Sequence, residues 1–198
     1  SMDIFHFKEE MLQEQLHKFM STVGNINFYA SYAGLIAGAA AAIYTTWEKK
    51  LGAVIWFFLM TASFVGVVVG NSDSAYLGLG VLFGFLPLYL FKNSQGIRRY
   101  LMMISSFLLA AAFYKWCAIQ YADTIMLPSG FNRMIVNMDS FFMVCVAFWI
   151  ITAIVYGVDY KLHRQKAAFG KKAQIIWGIF LLVVIAGIAG IIIDANLL

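Results

Sequence analysis

The chain has 198 residues, of which 62% are hydrophobic and 12% are charged, and its formal net charge is +4. Ordinary globular proteins are about a quarter charged, so this composition excludes a typical soluble domain. Apolar runs near the 20 residues that a helix needs to cross a bilayer recur along the sequence. The sequence therefore predicts an integral membrane protein whose first partner is the lipid bilayer.

The N-terminal segment, residues 1–26, is the only long stretch that is neither a span nor a loop between spans. Its apolar residues share one helical face, a pattern typical of an amphipathic helix that lies on a membrane surface. Histidines and glutamates stand three or four residues apart there. One helix supplies too few ligands for a metal site, so we interpret them as a solvated face and expect no metal or cofactor.

Six apolar runs follow, and together they predict an all-α, polytopic transmembrane helix bundle over residues 27–198. The predicted spans are 28–47, 51–70, 75–91, 100–121, 140–157 and 174–193. Cys117 and Cys145 fall inside spans and are interpreted as buried apolar thiols, because no pair has metal or redox spacing.

The loops between spans alternate in charge. Loops 48–50, 92–99 and 159–174 carry ten Lys and Arg residues, whereas loops 71–74 and 123–139 carry one. By the positive-inside rule, the basic loops face the cytoplasm of a multi-pass protein, and both chain ends face outward. The net charge thus reports orientation, and no nucleic acid is expected as a partner.

An even number of spans with both ends outside requires something to carry the N-terminal segment across the membrane. We therefore expect the chain to be part of a larger membrane protein.

Two polar junctions, 24–27 (Gly-Asn-Ile-Asn) and 70–74 (Gly-Asn-Ser-Asp-Ser), lie one helical hairpin apart on the predicted outer face. Residue chemistry alone favours helix capping, with Asp73 also stabilised by the helix dipole. The alternative is a polar pocket for an anionic or sugar-bearing substrate. The substrate-binding candidates of the two junctions are Asn25, Asn27, Ser72 and Ser74.

Two cations near the outer face are further candidates. Lys115 lies inside the fourth span, where it either reaches back to the interface or helps to hold a phosphate-bearing lipid. Arg133 is the only basic residue of the loop 123–139 and could contact a phosphate. Acidic residues and histidines are absent from the membrane interior of the predicted spans, which argues against a proton-coupled transporter.

The junctions also carry a family resemblance. Residues 21–32 (STVGNINFYASY) resemble a motif of the O-antigen ligase/polymerase family of bacterial membrane glycosyltransferases, in which Gly-Asn-x-Asn precedes a span rich in small residues. One hairpin later, that family has a Ser-centred junction before a Leu- and Gly-rich span. This chain has NSDSAYLGL at 71–79, and the resemblance covers residues 21–91.

The resemblance implies a function at the outer face of the bacterial inner (plasma) membrane. Members of the family transfer or polymerise glycan from a polyprenyl-diphosphate carrier without a metal or nucleotide cofactor. It implies that a polyprenyl-diphosphate-linked glycan is the partner of the junction residues.

Two departures from the family pattern affect this interpretation. The family commonly has Ser-Arg-Gly where this chain has Ser72-Asp73-Ser74, so no phosphate-binding role is transferred to Asp73. The large outer loop with the arginines and histidine that the family assigns to catalysis has no counterpart here. The catalytic residues are therefore unknown, and we expect that loop to follow Leu198. The alternative is a small non-enzymatic membrane scaffold or binding protein, in which the junctions only cap helices.

Overall fold

The computed structural model describes residues 26–121, 128, 130–161 and 171–197, and the side chains of these residues except 26–27 and 188–197. The described residues form seven helices and contain no strand. In chain order, the helices are α1 (Ile26–Thr46), α2 (Lys50–Val69), α3 (Asp73–Leu90), α4 (Ser94–Gln120), α5 (Gly130–Asn137), α6 (Phe141–Lys161) and α7 (Lys171–Leu197). The predicted amphipathic segment lies outside the described residues, apart from Ile26 at the start of α1.

Five of these helices are long and apolar enough to cross a membrane, namely α1, α2, α3, α4 and α6. The predicted all-α, multi-pass membrane fold is therefore confirmed. The sixth predicted span, 174–193, falls within helix α7 and stays a prediction as a span.

Helix α5 corrects the interpretation of residues 123–139 as a plain loop. It has only eight residues, which is far too short to cross a bilayer. Its buried residues, Asn132 and Ile135, are three apart and therefore share one face. The helix packs that face against the bundle at one end.

Successive spans run in opposite directions, so their loops gather at two ends. At one end, α5 is bonded to residues beside the second polar junction: Asn132 donates to the Val68 carbonyl of α2, at 2.8 Å. We call the end that carries residues 70–74 and α5 the junction end.

The opposite end carries most of the described Lys and Arg residues, and we call it the basic end (residues 45–50, 88–99, 156–161 and 171–174). An ion pair of 2.8 Å joins Arg98 of α4 to Asp159 of α6. Arg99 donates from Nη1 to the Tyr44 carbonyl of α1, at 2.9 Å. These contacts connect α4 to both α1 and α6.

Helices α1 and α2 pack closely through small residues. The buried face of α1 consists largely of alanine side chains: Ala30, Ala33, Ala37, Ala40 and Ala41. A Cβ atom built on Gly70, the residue after α2, would lie 3.0 Å from the Cβ of Ala30, and one on Gly66 of α2 would lie 3.5 Å from that of Ala33. Small residues allow such close approach of helices within a membrane. The packing also places the start of α1 beside the second junction.

Three phenylalanines join α2, α3 and α4 in the centre of the bundle. The ring centroids of Phe64, Phe83 and Phe107 lie 5.4 to 5.9 Å apart, with edge-to-face geometry for each pair. This arrangement is favoured by the quadrupoles of the rings. The cluster fixes the three helices that lead to the junction end.

Pro87 lies inside α3 and is fully buried. Proline has no N–H, so the carbonyl four residues earlier, that of Phe83, loses its helical partner. The Tyr100 hydroxyl of α4 donates to this carbonyl at 2.9 Å. Helix α7 contacts the same region, where Trp177 donates to the Gly84 carbonyl at 2.7 Å. Neighbouring helices thus satisfy the backbone around the proline.

Helix α4 begins at Ser94, whereas the predicted span began at residue 100. The side chain of Asn93 accepts a hydrogen bond from the Gly96 amide at 2.7 Å and caps the helix. Hydropathy alone predicts that the charged residues 98 and 99 belong to a loop. They are helical because both guanidinium groups find partners on neighbouring helices.

The outer surface of the span helices is apolar. Phe58, Val81 and Ile150 are examples, with exposed fractions of 65%, 61% and 54%. Apolar patches of this extent are rare on monomeric soluble proteins and are expected where lipid covers the protein. The lipid bilayer predicted as a partner is consistent with this surface.

Candidate functional site at the junction end

The second junction reverses the chain between α2 and α3. Asn71 has a φ of 47°, in the left-handed region that asparagine tolerates better than most residues other than glycine. Its amide donates to the Val68 carbonyl at 3.2 Å, and the Ala75 amide donates to the Ser72 carbonyl at 3.1 Å. The turn is therefore built from backbone hydrogen bonds.

The serines of this junction do not cap α3 through their side chains. Ser72 occupies the N-cap position with extended dihedral angles, but it makes no side-chain capping bond. Its hydroxyl is instead hydrogen-bonded to the Ser74 hydroxyl at 2.9 Å. Ser72 is buried and Ser74 is exposed, so of the two only Ser74 presents its side chain to the surface.

Asp73 connects two helix N-termini. It lies in the first turn of α3, and its Oδ1 accepts a hydrogen bond of 3.0 Å from the Phe131 amide in the first turn of α5. Both N-termini favour a negative charge. Gly130 is required at the contact, because its φ is +49° and an added Cβ would lie 2.0 Å from Asp73 Oδ1. The aspartate thus fixes the start of α5.

Asn132 is the buried centre of the contact between α5 and the bundle, with no exposed surface. Its amide nitrogen donates to the Val68 carbonyl near the C-terminus of α2, and its amide oxygen accepts from the Tyr76 hydroxyl. Tyr114 is hydrogen-bonded to the same side chain. Carbonyls in the last turn of a helix have no intrahelical partner, and that of Val68 accepts from Asn132 as well as from the Asn71 amide.

Lys115 holds the other end of α5. The side chain is 3% exposed, and its ammonium donates to the Met138 carbonyl just after α5 ends. It also lies 5.5 Å from the centre of the Phe142 ring. A cation is stabilising at the C-terminus of a helix. Lys115 therefore does not reach out to the surface, and its ammonium is bonded to the protein itself.

An anion and a cation thus hold opposite ends of the same short helix. Asp73 lies at the N-terminus of α5 and Lys115 at its C-terminus, which is the arrangement that the helix dipole favours. Sequence reasoning assigned the two residues to separate roles and did not select Asn132. The feature of the sequence that could have indicated its burial is the three-residue spacing of Asn132 and Ile135, which places both on one face of a short helix.

The remaining candidates differ in how the structure places them. Arg133 is exposed on α5. Asn27 lies in the first turn of α1, and its side chain is outside the description. Asn25 lies outside the described residues. The packing of Gly70 on Ala30 brings the starts of α1 and α3 to the same end, where Asp73 also holds α5, the helix that carries Arg133.

Within the described ranges, no three His, Cys, Asp or Glu side chains come together as they would around a metal ion. Cys117 and Cys145 are free thiols; Cys145 is buried and Cys117 is partly buried.

Comparison with protein-family models, with curated proteins and with solved structures gives no match.

Proposed function

We propose that the chain forms the membrane-embedded portion of a bacterial glycosyltransferase. This enzyme would transfer or polymerise glycan from a polyprenyl-diphosphate carrier on the outer face of the inner membrane. The observation that supports the proposal is the packing of Gly70 against Ala30, where an added Cβ would lie 3.0 Å away. It brings together the two stretches that resemble the O-antigen ligase/polymerase family, as a site built from both requires.

The proposal gives the junction residues different roles. Arg133 is the exposed cation of α5 and is assigned to the diphosphate, since guanidinium groups bind phosphate through paired hydrogen bonds. Ser74 offers an exposed hydroxyl, and the asparagines of the first junction, Asn25 and Asn27, precede Ala30 by five and three residues in the sequence. Lys115 positions α5, because its ammonium is already bonded to the Met138 carbonyl. No residue of this chain is assigned a catalytic role.

The binding test uses the purified protein in detergent micelles and a polyprenyl diphosphate without glycan, with bound lipid counted by native mass spectrometry. Arg133→Gln removes a charge-assisted hydrogen bond and is expected to weaken binding about tenfold. Lys172→Gln is the matched control, because it removes the same charge from an exposed position at the basic end. An equal loss in both variants, or no binding by the parent protein, would overturn the proposal.

A second candidate is a non-enzymatic membrane scaffold or binding protein. It is favoured by the mutual pairing of the polar side chains at the junction end, where Asp73, Asn132 and Lys115 all bond to the protein itself. The two candidates differ for Asn25→Ala and Asn27→Ala in the source cells. The glycosyltransferase proposal expects shorter or less abundant surface glycan. The scaffold alternative expects unchanged glycan and a lower melting temperature.

A further inference from the structure

A polar cavity of about 230 Å³ lies at the basic end, far from the candidate site. It is open on one side and is lined by the last turn of α1, the end of α3 and the first turns of α4. The lining residues that bear on binding are Thr45, Thr46, Glu48, Tyr89, Lys92 and Arg99. It is smaller than the pockets of about 300 to 1,000 Å³ that hold drug-sized ligands. A single headgroup-sized ligand suits this volume.

Two of the side chains that line this cavity, Lys92 and Arg99, are cationic. The threonine hydroxyls are engaged, since Thr45 and Thr46 each donate to α1 carbonyls at 2.8 Å. Arg99 donates one N–H of Nη1 to the Tyr44 carbonyl. A guanidinium group has five N–H donors in all. Lys92 is exposed, and its ammonium lies 4.7 Å from the centre of the Tyr89 ring. The cavity therefore offers two positive charges to an acceptor such as phosphate.

The surroundings place this cavity where a membrane meets water. It lies at the ends of three helices that could span a membrane. Tyr89 and Trp47 are 59% and 42% exposed beside it, as is typical of aromatic residues at the headgroup level. Basic side chains outnumber acidic ones among the described residues at this end: Lys49, Lys50, Lys92, Arg98, Arg99, Lys161, Lys171 and Lys172, against Glu48 and Asp159.

We propose that this cavity binds the phosphate of an anionic phospholipid headgroup through Lys92 and Arg99. Basic pockets between membrane helices are suited to such headgroups, and each Lys or Arg near the surface contributes about 1 kcal/mol of attraction. The acyl chains lie along the exposed apolar flank that begins at Tyr89. The site is separate from the junction end, so its failure would leave the proposed function untouched.

The test is the binding of phosphatidylglycerol to the purified, delipidated protein in detergent, measured by native mass spectrometry, with phosphatidylcholine as the zwitterionic comparison. Lys92→Gln is expected to weaken phosphatidylglycerol binding about fivefold. Glu48→Gln removes the acidic side chain of the cavity lining and is expected to tighten binding, which a merely destabilised protein would not show. Both residues are exposed, so these variants should fold.

The matched control is Lys172→Gln, which changes the same charge at the same end without altering the cavity. It should leave binding within about twofold of the parent protein. Equal losses for Lys92→Gln and Lys172→Gln would mean diffuse attraction and would overturn the site. Equal affinity for phosphatidylcholine would also overturn it, as would displacement of the lipid by inorganic phosphate alone, which would identify a free anion as the ligand.

Discussion

The hydrogen bond between Tyr100 and the Phe83 carbonyl tests how this bundle tolerates a proline inside a membrane helix. Tyr100→Phe removes the hydroxyl that donates to this carbonyl at 2.9 Å. In the parent protein, the carbonyl has no alternative helical donor, because Pro87 stands four residues later and lacks an N–H. The substitution therefore leaves a carbonyl without its donor in a low-dielectric region.

The size of the effect follows from the cost of an unsatisfied group. Leaving one buried polar group without a partner costs about 1 to 3 kcal/mol, whereas interhelical hydrogen bonds in membranes contribute about 0.6 kcal/mol on average and at most about 1.7. We expect Tyr100→Phe to lower the free energy of unfolding by about 1 to 1.5 kcal/mol. In a Pro87→Ala background, the new amide at position 87 can bond to Phe83, so the same change should cost less than about 0.5 kcal/mol.

The assay is a double-mutant cycle on the two positions, from reversible unfolding in mixed detergent micelles. Using the cycle removes the separate effect of Pro87→Ala on packing and helix propensity. Tyr89→Phe is the control: Tyr89 lies on α3 with Pro87 and is 59% exposed, so the loss of its hydroxyl should change the stability little. A coupling energy near zero, with Tyr100→Phe costing the same in both backgrounds, would refute the reasoning.

Two further predictions concern the basic end, and both are measured by the melting temperature in detergent. Gly96→Ala should be strongly destabilising, because the added Cβ would lie 1.9 Å from the Leu90 carbonyl oxygen; Gly78→Ala, where nothing lies within 4 Å, should be neutral or stabilising by up to about 1 kcal/mol. Equal melting temperatures for the two variants would contradict the close approach of Gly96 to the Leu90 carbonyl. Asp159→Leu should cost up to about 3 kcal/mol by leaving Arg98 without its carboxylate, and adding Arg98→Met should recover part of that loss. A double variant less stable than Asp159→Leu alone would contradict this account.

The five helices that are long and apolar enough to span a membrane were predictable, because each depends on local composition. A helix that crosses a bilayer needs about 20 apolar residues, and that requirement can be read from any single stretch of the chain. The start of α4 was not predictable in this way. Arg98 and Arg99 look like loop residues until their partners, Asp159 and the Tyr44 carbonyl, are known.

In the candidate site, too, features that depend on local sequence were predictable, whereas contacts between distant residues were not. Sequence reasoning selected Ser72, Ser74 and Arg133 by residue type and position, and the structure places all three at the junction end. It could not assign Asp73 to α5, because the hydrogen-bond partner is 58 residues away. The role of Lys115 likewise depends on the Met138 carbonyl, which is 23 residues further along the chain.

The hydrogen bonds of Asp73 and Lys115 at the junction end limit which cation there could bind an anionic substrate. Asp73 and Lys115, the two charges beside α5, are bonded to opposite ends of that helix. A phosphate that took Lys115 would have to displace the Met138 carbonyl and expose a side chain that is now 3% exposed. Arg133 needs no such rearrangement, because it is already exposed on α5. Among the described cations of this end, Arg133 is therefore the residue to which the proposal assigns the diphosphate, and α5 is the element that holds it in place.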